Sequence, residues 1–337
     1  MLKFMSDATC ENKLITSMPV VAASYLGPSL TPNQNVAWDE SKLPLSPDDL
    51  VLKIMGQPLR RAGRFIKLVC CGALACLRSV PAEDLKDKKI GIFLATGLGN
   101  VDEILPFITQ VFKHEGGFPS PNQFANSVSN AAAFFLAKVS EIKGVVLTIS
   151  QEELSFESAL WLAQSYLESG EIELALVGGC DVFTPTVDDY RERMDLKPDN
   201  HRSMPMGEGS SWLLLGNNGN SKKIGNILSV TLDHNLKTEL SSNENILSKC
   251  ESISDHSTDM QTKQKILLPG FRLTAVDQSL FKGKGWEVDD YLPHCGIHPT
   301  SAAYGLARAM LCCTSAFLVH CNYNAAGKRA MVTAVTE

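Results

Sequence analysis

Two acids stand where a reactive group is expected in the segment VLTISQEELSFES, residues 146–158. The run Val146-Leu147-Thr148-Ile149-Ser150 has the apolar, β-branched character of a strand, and it turns at Gln151, Glu152 and Glu153 into the front of a helix. Strand-to-helix elbows of this kind present a nucleophile at a helix N-terminus. Here the group presented is a carboxylate. Glu153 near apolar neighbours could serve as a general base, because loss of water raises a carboxyl pKa. The same letters also spell a structural device, the capping box, in which the Ser150 hydroxyl binds the third amide of the helix and Glu153 binds back. Two acids in a first helical turn further suit the helix dipole.

Three other groupings invite chemistry. Thr96-Gly97-Leu98-Gly99 follows an apolar run as a phosphate-binding turn would, but a third glycine is missing, so no dinucleotide cofactor is expected. His294, Cys295 and His298 in PHCGIHPTS could hold a metal or activate a thiol, yet no third ligand stands at useful spacing, and the segment reads as a packed loop without metal. Cys180 in GGCD reads as a small buried thiol beside a glycine turn. His320 sits inside an apolar strand.

The chain that must position these groups has 337 residues, 44% hydrophobic and 20% charged, enough for two ordinary domains or one double-sized unit. Its net charge of -6 argues against nucleic acid or an anionic membrane as the main partner. Of ten cysteines, Cys70, Cys71, Cys76, Cys312 and Cys313 fall in apolar helical runs and are expected as buried thiols of a reducing compartment. The first residues lack a sustained apolar stretch, and the longest apolar runs are shorter than the roughly 20 residues of a membrane span. A cytoplasmic protein is expected.

Strand and helix signals alternate. Strands are expected at Val20–Ala23, Ile90–Ala95, Val145–Ser150, Leu174–Val177, Ser211–Leu215, Ile227–Leu232, Ile266–Leu268, Ala316–Cys321 and Ala330–Val335. Helices are expected at Leu59–Arg78, Val101–Lys113, Asn130–Val139, Glu152–Ser169 and Pro299–Cys313, with HEGGFPSPNQ as turn and residues 239–265 as a polar surface excursion. Strand, elbow, helix, strand occurs around 145–177 and again around 291–321, which suggests a duplication.

The order IGIFLATG, FPSPNQFANSVSNAAAFFLA, KGVVLTISQEELSFESALWLAQSYLESGEIELALVGGCD, GEGSSWLLL and CGIHPTSAAYGLARAM resembles the β-ketoacyl synthases of fatty acid and polyketide synthesis, from about Val20 to Val335. The resemblance implies an α/β, thiolase-like, five-layer αβαβα core of two similar halves, drawn here as residues 1–185 and a shortened 186–337, normally dimeric. It also implies a nucleophilic cysteine at the elbow, where this chain has Glu153. A first active-site histidine is implied within ILLPGFRLTAVDQ, which contains none. Aligned on Gly296, the family's lysine becomes Leu292 and its second histidine becomes Ile297; His298, one residue off, remains a candidate.

Loss of all three functions with the scaffold kept resembles the chain-length factor, the inactive partner in ketosynthase heterodimers of type II polyketide systems. The second half looks most like related proteins of aryl-polyene and dialkylresorcinol pathways. Many chain-length factors carry Gln at the nucleophile position, from which Glu153 departs. The resemblance therefore implies a non-catalytic subunit paired with an active, Cys-containing ketosynthase, meeting an acyl carrier protein through the complex. The chain tunnel would cross the interface near Pro121–Asn130, with Phe124 and Val128 as walls and Glu153 near the closed end. The competing expectation is an enzyme that uses Glu153 for decarboxylation or hydrolysis of carrier-bound acyl groups.

Overall fold

The computed structural model describes residues 17–36, 44–113, 120–184, 206–216, 222–233, 247–248 and 262–337. Its first five strands are β1 (Met18–Ser24), β2 (Ile90–Ala95), β3 (Val146–Ile149), β4 (Leu174–Asp181) and β5 (Gly209–Gly216). The second five are β6 (Gly225–Asp233), β7 (Gln264–Pro269), β8 (Glu287–Val288), β9 (Ala316–Tyr323) and β10 (Arg329–Thr336). The helices are α1 (Asp48–Met55), α2 (Arg64–Leu77), α3 (Ala82–Leu85), α4 (Val101–Lys113), α5 (Pro121–Ser127), α6 (Ala131–Ser140), α7 (Ser155–Glu168), α8 (Ala275–Gly283), α9 (Leu292–Cys295) and α10 (Ser301–Cys312).

All ten strands join in the order β3-β2-β4-β5-β1-β6-β10-β9-β7-β8. Counted inward from either edge, each half runs third, second, fourth, fifth, first. The directions repeat as well: β3, β2 and β4 are parallel, as are β8, β7 and β9, and every other pairing is antiparallel. The duplication suggested by weak letters is thus plain in the topology. The division expected at 185/186 would assign β5 to the second half, although β5 pairs with β4 and β1. We propose the junction between Gly216 and Gly225 instead.

The layers follow from which strands are apolar on both faces. β2, β4 and β5 are buried along their whole length, so helices must cover both sides. α7 packs on β2, β3 and β4 in its own half and on β6 and β10 across it; α10 packs on β9 and on β1, β4 and β5. These two helices form the middle layer, around a core that includes Phe156, Leu160, Val177, Leu306 and Leu318. α2 and α6 cover the outer face of the first half over Phe65, Val69, Leu94 and Trp212, while α8 covers the second over Phe281, Trp286 and Phe317. The expected five-layer αβαβα core is present.

Local departures have local reasons. The helix expected from Leu59 begins at Arg64, because a turn with left-handed Arg61 (φ 61°) precedes it. Part of HEGGFPSPNQ, expected as turn, opens α5: Ser120 caps it by accepting from Gln123 N, and Pro121 fills its first position, where a missing N–H costs nothing. Cys70, Cys71 and Cys76 are buried as expected, but Cys312 is exposed and Cys313 half-buried, since the last turn of α10 reaches the surface. The polar stretch 239–265 lies mostly outside the described residues. No helix among the described residues is long and apolar enough to cross a membrane.

One glycine is a packing requirement. Gly178 of β4 sits opposite Trp212 of β5, and a Cβ there would enter the indole of that fully buried side chain. Gly178→Ala is expected to lower stability by about 1–3 kcal/mol through overpacking, read as a shift in denaturation midpoint; an unchanged midpoint would mean that the indole has a second rotamer available.

Candidate site at the strand-to-helix elbow

β3 ends at Ile149, and the chain turns through Gln151 into a single 3-10 turn, Glu152–Leu154, before α7 begins. Glu152 has φ 53°, a left-handed conformation that a non-glycine residue adopts at some cost. The strain is held by side chains. Ser155 Oγ accepts from Gln151 N at 2.8 Å and lies 2.6 Å from Glu152 O, while Ser158 Oγ donates to Gln151 Oε1 at 2.6 Å. The capping box expected from Ser150 and Glu153 does not form, because the 3-10 turn shifts the start of α7 and Leu154 becomes its N-cap. Ser155 does the work assigned to Ser150.

Freed from capping, Glu153 turns into the interior, where it is only 3% exposed. Its Oε1 accepts from Arg272 Nη2 at 3.2 Å, and Arg272 Nη1 donates to Tyr323 O at 3.0 Å. Oε2 has no hydrogen-bond partner among the described residues. Burial raises the Glu153 pKa above the usual carboxylate range; its own backbone amide and Arg272 oppose that shift, and neighbouring Glu152 adds to it. Arg272 lies in the stretch from which the first histidine is absent, so a cation occupies that side of the pocket.

Neither position considered for the second histidine meets Glu153. Ile297 is buried, and its carbonyl accepts from Gly207 N at 3.0 Å. His298 is buried too, with Nδ1 3.3 Å from Gly296 O and its ring against Gly209. Burial pushes its pKa down to about 4, which leaves the imidazole neutral at pH 7. Cys295 bonds only to backbone carbonyls, and burial raises its pKa well above the ordinary range. Among the described residues no group of three or more metal-ligating side chains could hold a metal ion.

The loop with two glycines has another occupant than a phosphate. Thr96 Oγ1, Gly97 N and Leu98 N all donate to Asp181 Oδ1, at 2.9, 3.0 and 2.8 Å. Thr300 N and Oγ1 donate to Asp181 Oδ2, at 3.0 and 2.8 Å. The last residue of β4 therefore ties the loop after β2 to the N-terminus of α10, the middle helix of the other half.

Asn322 near the end of β9 makes the mirror-related clasp. Its Oδ1 accepts from Phe271 N, in the loop after β7, at 2.9 Å, and its Nδ2 donates to Glu153 O at 2.7 Å and to Glu157 Oε1 at 2.8 Å. His320 Nε2 lies 2.9 Å from the same Glu157 oxygen. Each half thus fixes the other's middle helix. Asp181, Glu157, Arg272, His320 and Asn322 were not recognised as site residues from sequence. For three of them the spacing carried a signal: His320 and Asn322 stand two apart and share one strand face, and Glu157 stands one helical turn from Glu153.

The expected tunnel walls lie at the surface of the single chain. Phe124 is 59% and Val128 44% exposed, and the Phe124 ring packs on Phe107 with centroids 5.8 Å apart.

No protein-family model and no curated protein matches the chain. Solved structures do. The ishigamide ketosynthase/chain length factor superposes with a TM-score of 0.72 at 15% identity, covering 95% of this chain and 99% of that one. A type II polyketide acyl-carrier protein in complex with its ketosynthase bound to the hexaketide gives 0.69 at 12% identity, with the same coverages, 95% and 99%. A β-ketoacyl synthase from Burkholderia phymatum STM815 gives 0.67 at 12%, again covering 95% and 99%. The fold is the thiolase-type fold of the ketosynthases. Such low identities speak for architecture alone, and what the ketosynthase fold does here depends on the elbow and its surroundings.

Proposed function

We propose that the protein is a non-catalytic, ketosynthase-like subunit that pairs with an active, Cys-containing ketosynthase and shapes the cavity for a growing acyl or polyene chain in a type II polyketide or aryl-polyene system. One observation carries this reading: at the elbow, the side chain in the nucleophile's expected place is a buried carboxylate spent on Arg272, with no histidine bonded to it. A carboxylate cannot form the thioester on which condensation depends. Similarity to a ketosynthase/chain length factor and to a ketosynthase with its acyl-carrier protein supports the same class of assembly.

The surface supplies a place for the partner. Among the described residues β3 is an edge strand, and the helices that pack on it, α6 and α7, carry exposed Phe134 and Trp161; Phe112 on α4 and Phe124 on α5 are exposed as well. α4 has an apolar stripe but no buried residue in the single chain. Unpaired strand edges and apolar patches of this kind are covered in stable assemblies. Co-expression with a Cys-containing ketosynthase is expected to give a one-to-one complex, whereas the chain alone self-associates. A monodisperse monomer whose thermal stability is unmoved by the partner would overturn the reading.

Within such a complex, Phe124→Ala is expected to lengthen the product and Val128→Phe to shorten it, with total rate changing less than the distribution, because depth and not chemistry is altered. Mass spectrometry of the products decides this. Parental chain length from both variants would remove Phe124 and Val128 from the tunnel.

One observation favours a second reading. The raised pKa and unpartnered Oε2 of Glu153 are what a general base for decarboxylation or hydrolysis needs. Turnover of malonyl- or acyl-carrier substrates by the isolated chain would establish it.

A further inference from the structure

At the far end of α7 from the elbow the fold leaves a cleft of about 400 Å³, a size that suits a small organic ligand. The sequence opens it. Val20 of β1 pairs with Leu215 of β5 and with Gly225 of β6, but Pro19, one residue earlier, pairs only with Asn226 of β6. Proline brings no N–H to a ladder, and β1 parts from β5 there. β5 ends opposite at Gly216, whose φ of 120° is left to glycine and where a Cβ would stand 2.4 Å from Glu173 O. The last turn of α7 and the start of β4 close the sides of the cleft.

The cleft has an apolar floor and an acidic rim. Met18 and Ile172 line it as buried side chains, and Pro19 and Leu167 as half-buried ones. Gln164, Leu167 and Glu168 stand three and four residues apart on α7 and so share one face. Glu168 Oε1 accepts from Gln164 Nε2 at 2.9 Å, which fixes the carboxylate at the rim. Glu173, on β4's side, is bound to Lys88 Nζ at 2.8 Å and to Lys89 N at 3.0 Å, so its charge is already matched. Among the described residues no cation pairs with Glu168. The negative end of the α7 dipole adds to its field, and no lining residue is basic.

We propose that this cleft binds a small amphiphilic amine, whose apolar body covers Met18, Leu167 and Ile172 and whose ammonium head meets Glu168 and the end of α7. The same charges repel a carboxylate. A neutral molecule of the same shape gains the apolar contact alone. α7 is 14 residues long, so at about 1.5 Å per residue the site stands roughly 20 Å from the elbow. It is therefore a second site, and it holds under either reading of Glu153.

Hexylammonium is the probe, with hexanol and hexanoate as its neutral and anionic counterparts. Saturation-transfer NMR and titration calorimetry on the full chain, alone or with its ketosynthase, are expected to show one saturable site for hexylammonium, binding about tenfold weaker for hexanol, and none for hexanoate. Glu168→Gln is a surface substitution that keeps an oxygen for Gln164, and it is expected to bring hexylammonium down to the level of hexanol. Gln164→Phe fills the cleft and is expected to remove the binding of both. Equal binding of amine and alcohol, or a Glu168→Gln variant that binds the amine as wild type does, would overturn the proposal. So would an amine that never saturates, or a Gln164→Phe variant that keeps its melting temperature and still binds. Where Gln164→Phe fails to fold, Glu168→Gln alone decides.

Discussion

Asp181→Ala is expected to remove most of the stability of the chain, on the order of 5 kcal/mol, since each buried donor left without an acceptor costs about 1–3 kcal/mol and native proteins hold only about 5–15 in total. Five donors are at stake, from Thr96, Gly97, Leu98 and Thr300. Asp181→Asn keeps the acceptor for three of them but sets an NH2 group against the Thr300 donors, and a loss of about 2–3 kcal/mol is expected. Denaturant midpoints measure both. A midpoint within experimental error of wild type for Asp181→Ala would show that the two loops hold without the clasp.

The pH dependence of that loss has a definite sign. Burial pushes Asp181 up to about 6, against the pull of its backbone and hydroxyl donors. Protonated, the carboxyl still accepts at Oδ1 and can give its own proton to Thr300 Oγ1. A folded-state pKa above the unfolded value contributes stability that is present below the unfolded value and is lost as pH rises through about 6. The gap between wild type and Asp181→Asn is therefore expected to widen from pH 7 to pH 4. A gap that narrows over that range would mean that the donors win over burial.

Asp181 also shows how far the letters could be read. The strands and longer helices were legible because their apolar runs are long and their turns carry glycine and proline: Ile90–Ala95 and Val101–Lys113 fall where periodicity puts them. The duplicated layout was legible as a repeated strand, elbow, helix, strand, although its boundary was not, since nothing in the letters of Gly209–Gly216 says which half it pairs with. The elbow was legible as a place. Its partners were not, because they arrive from 119 residues away in Arg272 and 169 in Asn322, at sequence separations no local pattern spans. The glycine turn at Thr96–Gly99 misdirects for a related reason. A loop whose amides suit a phosphate suits a carboxylate equally, and only the fold shows that Asp181 has claimed it.

The elbow supplies the last prediction. Arg272→Ala is expected to destabilise the chain by about 3–5 kcal/mol, the cost of leaving a buried charge without its partner. Adding Glu153→Gln to that variant should restore most of the loss, since an amide needs no counter-ion. The Arg272→Ala defect should also shrink at low pH, because Glu153 already titrates above the usual range through burial and its protonated form needs no cation. Glu153→Gln alone keeps an oxygen for Arg272, so a complex carrying it should stay folded and make the parental product. Glu153→Cys should gain no condensing activity, because no histidine is bonded into the pocket to stabilise an enolate; His298 faces Gly209 and is neutral, and His320 is committed to Glu157. Intact-mass analysis for acyl adducts on this chain, together with turnover by the assembled complex, separates the two readings of the site. A Glu153→Gln complex that is folded, correctly assembled and inactive would show that the carboxylate takes part in chemistry, and the proposal of a silent elbow would give way to the general base.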